Sequence, residues 1–253
     1  MSRVLITGGA SGLGRAMAAG FAARGDRVAI CDADAGAVAA FQADFPGHIG
    51  AVADVTDEGQ MQAFLQAVED AWGGIDVVCA NAGTGGPAGR IEDLPLEGWR
   101  ACIDVNLTGA FLTCRWAARL MRAQGAGLIV LTSSTAGQFG YPLRAPYATV
   151  KWGIVGLTKT LAMELGPAGI RVNAICPGAV EGDRMDRVVA MESAASGLDP
   201  DAVRAQYVKG VSLRSWVTAQ DVTDTVLWLA SDGARKISGQ ILAIDGHTET
   251  LTP

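Results

Sequence analysis

The sequence predicts a doubly wound α/β fold on a parallel sheet of seven strands. Short runs that are apolar on both alternating faces recur along the chain. Helix-patterned stretches separate them. A glycine-rich turn, TGGASGLG at 7–14, joins the first run to the first helix. Strands covered by helices on both faces read as continuously apolar, and a strand–helix rhythm implies right-handed crossovers with every strand pointing the same way.

The strands are predicted at 3–7 (RVLIT), 27–31 (RVAIC), 49–53 (IGAVA), 76–80 (DVVCA), 127–133 (GLIVLTS), 171–176 (RVNAIC) and 240–245 (QILAID). Helical patterning covers 12–24, 57–72, 98–123, 147–165 and 219–230. No Pro- or Ser-rich linker divides the chain, so residues 1–253 read as one domain. The segment 179–217 breaks the rhythm with two short helical patterns and no strand. It lies between strands six and seven, near the sheet edge where ligands bind, and reads as a substrate lid.

Composition narrows the function classes. Hydrophobic residues make up 49% and charged residues 18%, as in a folded globular chain. The net charge of −6, with no long basic run, argues against nucleic acid and anionic membranes as partners. No signal-peptide pattern opens the chain and no apolar run approaches a membrane span. The five scattered cysteines show no CxxC spacing and fit buried thiols in a reducing cytoplasm. His48 and His247 are far apart and form no metal-binding pattern, so no metal is expected.

In the turn after strand one, Gly8, Gly12 and Gly14 let the backbone bend sharply and approach a pyrophosphate without a Cβ in the way. The following helix offers free N–H groups and a positive dipole end, with Ser11 and Leu13 flanking the glycines. The spacing is looser than GxGxxG. Asp32, after strand two, is placed to accept from the ribose hydroxyls and to repel a 2′-phosphate. With no basic residue following nearby, the cofactor reads as NAD rather than NADP. The other role open to Asp32 is capping the next helix.

These residues, with Asp54-Val55, NAG at 81–83, Asn106 in VNLTG, Ser134 in LTSSTAG, Tyr147-x-x-x-Lys151 and PG at 177–178, resemble the short-chain dehydrogenase/reductase family, in its single-domain branch. The resemblance spans essentially the whole chain. It implies a Rossmann-type sheet, a nicotinamide cofactor and reversible oxidation of an alcohol. It implies an adenine site at Asp54 and Val55, and a cofactor floor at Asn81, Ala82 and Gly83. It also implies a nicotinamide neighbour at Pro177-Gly178. The family pattern often has a threonine four positions after that glycine. Gly182 stands there instead, leaving backbone around Val180 for the carboxamide. Asn81 also fits a purely structural turn role.

Tyr147 lies thirteen residues after Ser134, and Lys151 one helical turn further on. A phenol with a pKa of about 10 is a poor base near neutrality, and an adjacent cation favours its phenolate. Lys151 supplies that charge, and by resemblance also binds the nicotinamide ribose. Tyr147 then exchanges the alcohol proton while Ser134 holds the substrate oxygen. By resemblance Asn106 anchors a water relay to Lys151; an amide bonding helix backbone is equally compatible. Three variable regions, 83–89, 136–144 and the lid, bound the substrate pocket. Within them Arg144 and Arg184 are either a fork for an anionic substrate group or ordinary exposed or ion-paired arginines.

The expected activity is NAD-dependent interconversion of a secondary alcohol (polyol, sugar, hydroxy acid or another small, sometimes anionic alcohol) and its ketone. The alternatives are an NADPH-using 3-oxoacyl-type carbonyl reductase and a non-catalytic nucleotide sensor. The family commonly forms homotetramers through the helices predicted at 98–123 and 147–165.

Overall fold

The apolar runs form seven strands: β1 (Arg3–Thr7), β2 (Arg27–Asp32), β3 (Ile49–Val52), β4 (Val77–Ala80), β5 (Gly127–Thr132), β6 (Ile170–Pro177) and β7 (Ile241–Ile244). The computed structural model describes residues 1–249, apart from the side chains of residues 184, 191, 192, 195 and 196. The seven strands pair in parallel, in the order β3-β2-β1-β4-β5-β6-β7.

Side-chain alternation builds two cores. Leu5, Ala29, Cys31, Val78 and Ile129 face one layer, while their neighbours Val4, Ile6, Val28, Ile30, Val77 and Val130 face the other. The first layer is closed by α3 (Glu58–Trp72), α5 (Gly109–Gln124) and α6 (Ala145–Leu165). The second is closed by α1 (Gly12–Ala23), α2 (Ala35–Asp44) and α9 (Ala219–Leu229). The direction of winding reverses between β1 and β4, and ligands bind at the strand C-termini of such a crevice.

Local chemistry sets the helix ends. Asp34 and Asp57 accept the N–H of Ala37 and Gln60, and Thr218 forms a capping box with Asp221. The α2 segment, AGAVAAFQAD, has no apolar stripe, and only Val38 and Phe41 are buried. Its helix is legible in the fold and not in its pattern.

The stretch predicted as one helix at 98–123 is a composite. It comprises α4 (Leu96–Ile103), a π-turn (Asp104–Thr108) and α5. The lid segment contains α7 (Asp183–Ser196) and α8 (Pro200–Lys209), as its two helical patterns predict. A Val180–Val217 bridge ties its base together, with Glu181 N–H donating to Val217 O at 2.8 Å.

Candidate active site

The turn after β1 fits a dinucleotide pyrophosphate. Gly8 and Gly12 hold φ of +61° and +50°, and a Cβ on Gly12 would meet nothing within 4 Å. Gly14 lies so close to the turn that a Cβ there would stand 2.0 Å from Gly8 O. The first turn of α1 carries no acidic residue, and the Ser11 side chain does not cap it. Its positive end is therefore uncompensated by side-chain charge. Leu13 packs against the sheet core.

Asp32 ends β2 beside this turn. Its Oδ2 accepts Ala10 N–H at 3.2 Å and its Oδ1 accepts Asp34 N–H at 3.2 Å. Asp34, not Asp32, caps α2, which disposes of the capping role. Asp54 spends one oxygen on the N–H and hydroxyl of Thr56, while Val55 is buried.

Asn81 is a structural hub. Its Nδ2 donates to Thr7 O and Gly8 O, its Oδ1 accepts from Thr132 Oγ1, and its N–H donates to Thr7 Oγ1. Ala82 N–H shares the same Thr7 hydroxyl at 3.1 Å. This web clamps β1, β4 and β5 around the crevice floor. Gly83 is the exposed end of that floor. Pro177 ends β6, and Gly178 N–H donates to Ile244 O at 3.0 Å. A Cβ on Gly178 would stand 2.9 Å from Asp245 Cβ. Gly182 is the N-cap of α7, with φ of +133° and no side chain to contact a carboxamide.

The structure brings Lys151 beside Tyr147 and against the end of β5. Lys151 is 4% exposed and its Nζ donates to Thr132 O at 3.0 Å. The same Nζ lies 5.5 Å from the Tyr147 ring centroid. Ser133 Oγ donates to Lys151 O at 2.8 Å, fixing the end of β5 against α6. Ser134 follows directly, and its Oγ accepts Ala136 N–H at 3.2 Å. That bond uses an oxygen lone pair and leaves the O–H to donate elsewhere.

Asn106 sits on the π-turn, 2% exposed. Its Nδ2 donates to Thr84 O at 3.0 Å and Cys102 O at 2.9 Å, while its Oδ1 is buried without a protein partner. The backbone-bonding role open in the sequence is therefore realised, and one acceptor remains beside the crevice. A Cβ on Gly83 would lie 2.8 Å from Asn106 Oδ1 and 3.4 Å from Lys151 Nζ, so both atoms border that point.

Arg144 joins this group, with its Cζ 5.5 Å from the Tyr147 ring centroid and its Nη2 donating to Gly85 O at 3.1 Å. The side chain of Arg184 lies outside the described residues. Trp216 meets Tyr207 of α8 in a tilted ring contact with centroids 5.6 Å apart, inside the lid's own packing. His247 pairs with Ser212 through Nδ1 at 2.7 Å. No group of His, Cys, Asp or Glu arranged to hold a metal occurs among the described residues.

Electrostatics follow from burial. Desolvation pushes the Cys31 and Cys79 thiols up to about 12. Cys102 is also raised by burial, opposed by the charges of Lys151 and Arg144 and a hydrogen bond from Asn106. Sequence reasoning missed Thr7, Thr132 and Cys102. The threonines ending VLIT and IVLT are the available signal, because a hydroxyl closing an apolar strand needs a partner.

Comparison with known proteins agrees with this fold. The sequence model of a family described as enoyl-(acyl carrier protein) reductase matches residues 8–247. The 2-(R)-hydroxypropyl-CoM dehydrogenase of Xanthobacter autotrophicus is 36% identical over 254 residues, covering 97% of this chain and 98% of the relative. The structure of an NAD+-bound xylitol dehydrogenase superposes with a TM-score of 0.92 at 31% identity, covering 97% and 98% of the two chains. A variant of actinorhodin polyketide ketoreductase with NADPH gives 0.92 at 30%, covering 97% and 96%. Crevice, sheet order and relatives agree that the chain belongs to the short-chain dehydrogenase/reductase family, whose nicotinamide-dependent members interconvert alcohols and ketones.

Proposed function

We propose that this chain is an NAD-dependent dehydrogenase that interconverts a secondary alcohol and its ketone, with Tyr147 as acid/base. The observation that carries the reading is the buried Lys151 ammonium, which donates to the Thr132 carbonyl and lies 5.5 Å from the Tyr147 ring. Keeping a cation there costs desolvation energy, and stabilising a phenolate is a return for it. In the oxidative direction Tyr147 takes the hydroxyl proton of the substrate, and in the reductive direction it returns one. Ser134 donates its O–H to the substrate oxygen and holds it in line with Tyr147. Lys151 sustains the phenolate and binds the cofactor ribose. Asn106 Oδ1 accepts from a water that relays protons between Lys151 and solvent. The bound nicotinamide supplies the hydride chemistry.

Gly8, Ser11, Gly12, Leu13 and Gly14 would cradle the pyrophosphate, and Asp54 and Val55 would flank the adenine. Asn81, Ala82, Gly83, Pro177, Gly178 and Val180 would shape the nicotinamide end. The Asp32 carboxylate beside the turn supports NAD over NADPH, because a 2′-phosphate there would face like charge. A nucleotide sensor has no use for a buried lysine beside a tyrosine, so that reading is less well supported.

Residues 1–253 act as one domain whose 179–217 segment closes over a small alcohol in the cytoplasm. Phe111, Trp152 and Met163 stand 47%, 51% and 81% exposed on α5 and α6, which supports homotetramer contacts through those helices. The reading is tested by NADH formation at 340 nm across polyols, sugars and hydroxy acids. Tyr147→Phe is expected to lower turnover at least about a hundredfold with NAD+ binding retained. Retained turnover would remove Tyr147 from the mechanism.

A further inference from the structure

Arg144 is held in an unusual setting. It caps α6, and its carbonyl accepts Ala148 N–H at 2.9 Å. The preceding Leu143 is a non-glycine residue at φ +61°, a conformation that costs energy in any residue with a Cβ. Gly89 N–H donates to Leu143 O at 2.9 Å and stitches this turn to the loop after β4. The guanidinium is bound on the same side, through Nη2 to Gly85 O at 3.1 Å. Two contacts between the same loops therefore fix where the charge sits.

That charge is turned onto aromatic rings. Cζ lies 5.5 Å from the Tyr147 centroid and 5.8 Å from that of Tyr141. Nε is buried without a hydrogen-bond partner, so a substrate anion could not reach it in this arrangement. The acceptor on Nη2 is a neutral carbonyl, which leaves the field of the cation uncancelled by that contact. A phenolate spreads its charge into the ring, so a cation over that ring favours it as a cation beside the oxygen does.

We propose that Arg144 is a positioning residue that acts through Tyr147, stabilising its phenolate together with Lys151 and fixing the position of the ring. This rests on Tyr147 being the acid/base. Lys151 on its own helix and Arg144 at the cap face the Tyr147 ring, Tyr141 shares Arg144, Cys102 of α4 feels both cations, and Cys176 of β6 feels Lys151. The shared influence on Cys102 places the two fields in one neighbourhood. Glu97 of α4 and Asp104 of the π-turn are exposed, and Asp245 after β7 accepts the N–H groups of His247 and Thr248.

The test needs no knowledge of the substrate. The chain has three tyrosines, so phenolate formation can be followed at 295 nm in the NAD+-saturated protein. Subtracting the Tyr147→Phe titration isolates Tyr147. Arg144→Met is expected to move that step up by about one pH unit. Arg144→Lys is expected to recover at least about half of the shift, as restored charge should. Arg144→Gln keeps a donor for Gly85 O without the charge, so it should show the same upward step and stands in for the methionine variant if loss of that bond unfolds the latter.

A Tyr147 step unmoved in both uncharged variants would overturn the proposal. So would a rise in KM confined to carboxylated or sulfonated alcohols with the titration unchanged, which would make Arg144 a substrate reader. Turnover in Tyr147→Phe would instead defeat the acid/base reading, whatever the titration shows.

Discussion

Substituting Gly14 by alanine is the sharpest probe of the cofactor turn. An ideal Cβ on Gly14 would lie 2.0 Å from Gly8 O and 2.8 Å from Asn81 Nδ2. Real Cβ contacts essentially never fall below 3.0 Å, so the oxygen must retreat by at least 1.0 Å (3.0 − 2.0). Neither side yields easily. Gly8 O accepts from Asn81 Nδ2 at 3.3 Å, and α1 is anchored by Met17, Ala18 and Phe21, each 0% exposed. Overpacking of this kind costs about 1–3 kcal/mol. Alanine returns about 1 kcal/mol of helix propensity.

The net loss is therefore ~0–2 kcal/mol, and at ~2–4 °C per kcal/mol the Tm falls by at most about 8 °C. Binding suffers more. A displaced turn loses at least one charge-assisted N–H contact to phosphate, worth about 1.5–3 kcal/mol, so Kd for NAD+ should weaken roughly 10–100-fold. Calorimetric titration with NAD+ beside a thermal melt measures both. A Gly14→Ala protein that binds NAD+ within about twofold of the parent would refute the placement of the pyrophosphate on this turn.

Asp32→Ala should shift the NADP/NAD ratio of kcat/KM upward by about 10–100-fold, because like charge beside a 2′-phosphate is removed; an unchanged ratio in paired assays would show that Asp32 does not read the ribose. The Asp76 carboxyl is opposed by burial but held below the usual carboxylate range by hydrogen bonds and charge from Arg3 at 2.6 and 3.0 Å. A depressed folded-state pKa contributes stability that is present above the unfolded value of about 3.9 and is lost as pH falls through the folded value. Asp76→Asn should therefore cost about 1 kcal/mol near neutrality, after allowing for solvent screening, and less at about pH 3, below the unfolded value. Urea melts at the two pH values compare them, and an equal loss at both would contradict the linkage.

The strands were legible because burial on both faces leaves a plain signature in residues such as Val4 to Ile6 and Val77 to Cys79. Helices such as α3 were legible because they bury one stripe, here Met61, Phe64, Leu65 and Val68, whereas α2 carries too few buried side chains to show one. The π-turn was hidden because α4 and α5 share one helical pattern, and only packing decides where an extra residue is inserted. Asn106 shows the consequence. Its type and place were readable, but its bonds to Thr84 O and Cys102 O depend on how the loop after β4 folds back.

By itself the sequence determined the sheet, the glycine turn and the Ser134–Tyr147–Lys151 spacing, all set by local period and by residue types with few alternative uses. Only the tertiary structure decided what surrounds them. It made Asn81 a strand clamp and buried the Lys151 ammonium against Thr132 O. It also brought Arg144 onto the face of Tyr147 through a strained turn at Leu143. An arginine's sequence position fixes its Cα, while the direction of its long side chain is chosen by partners far away in the chain, here Gly85.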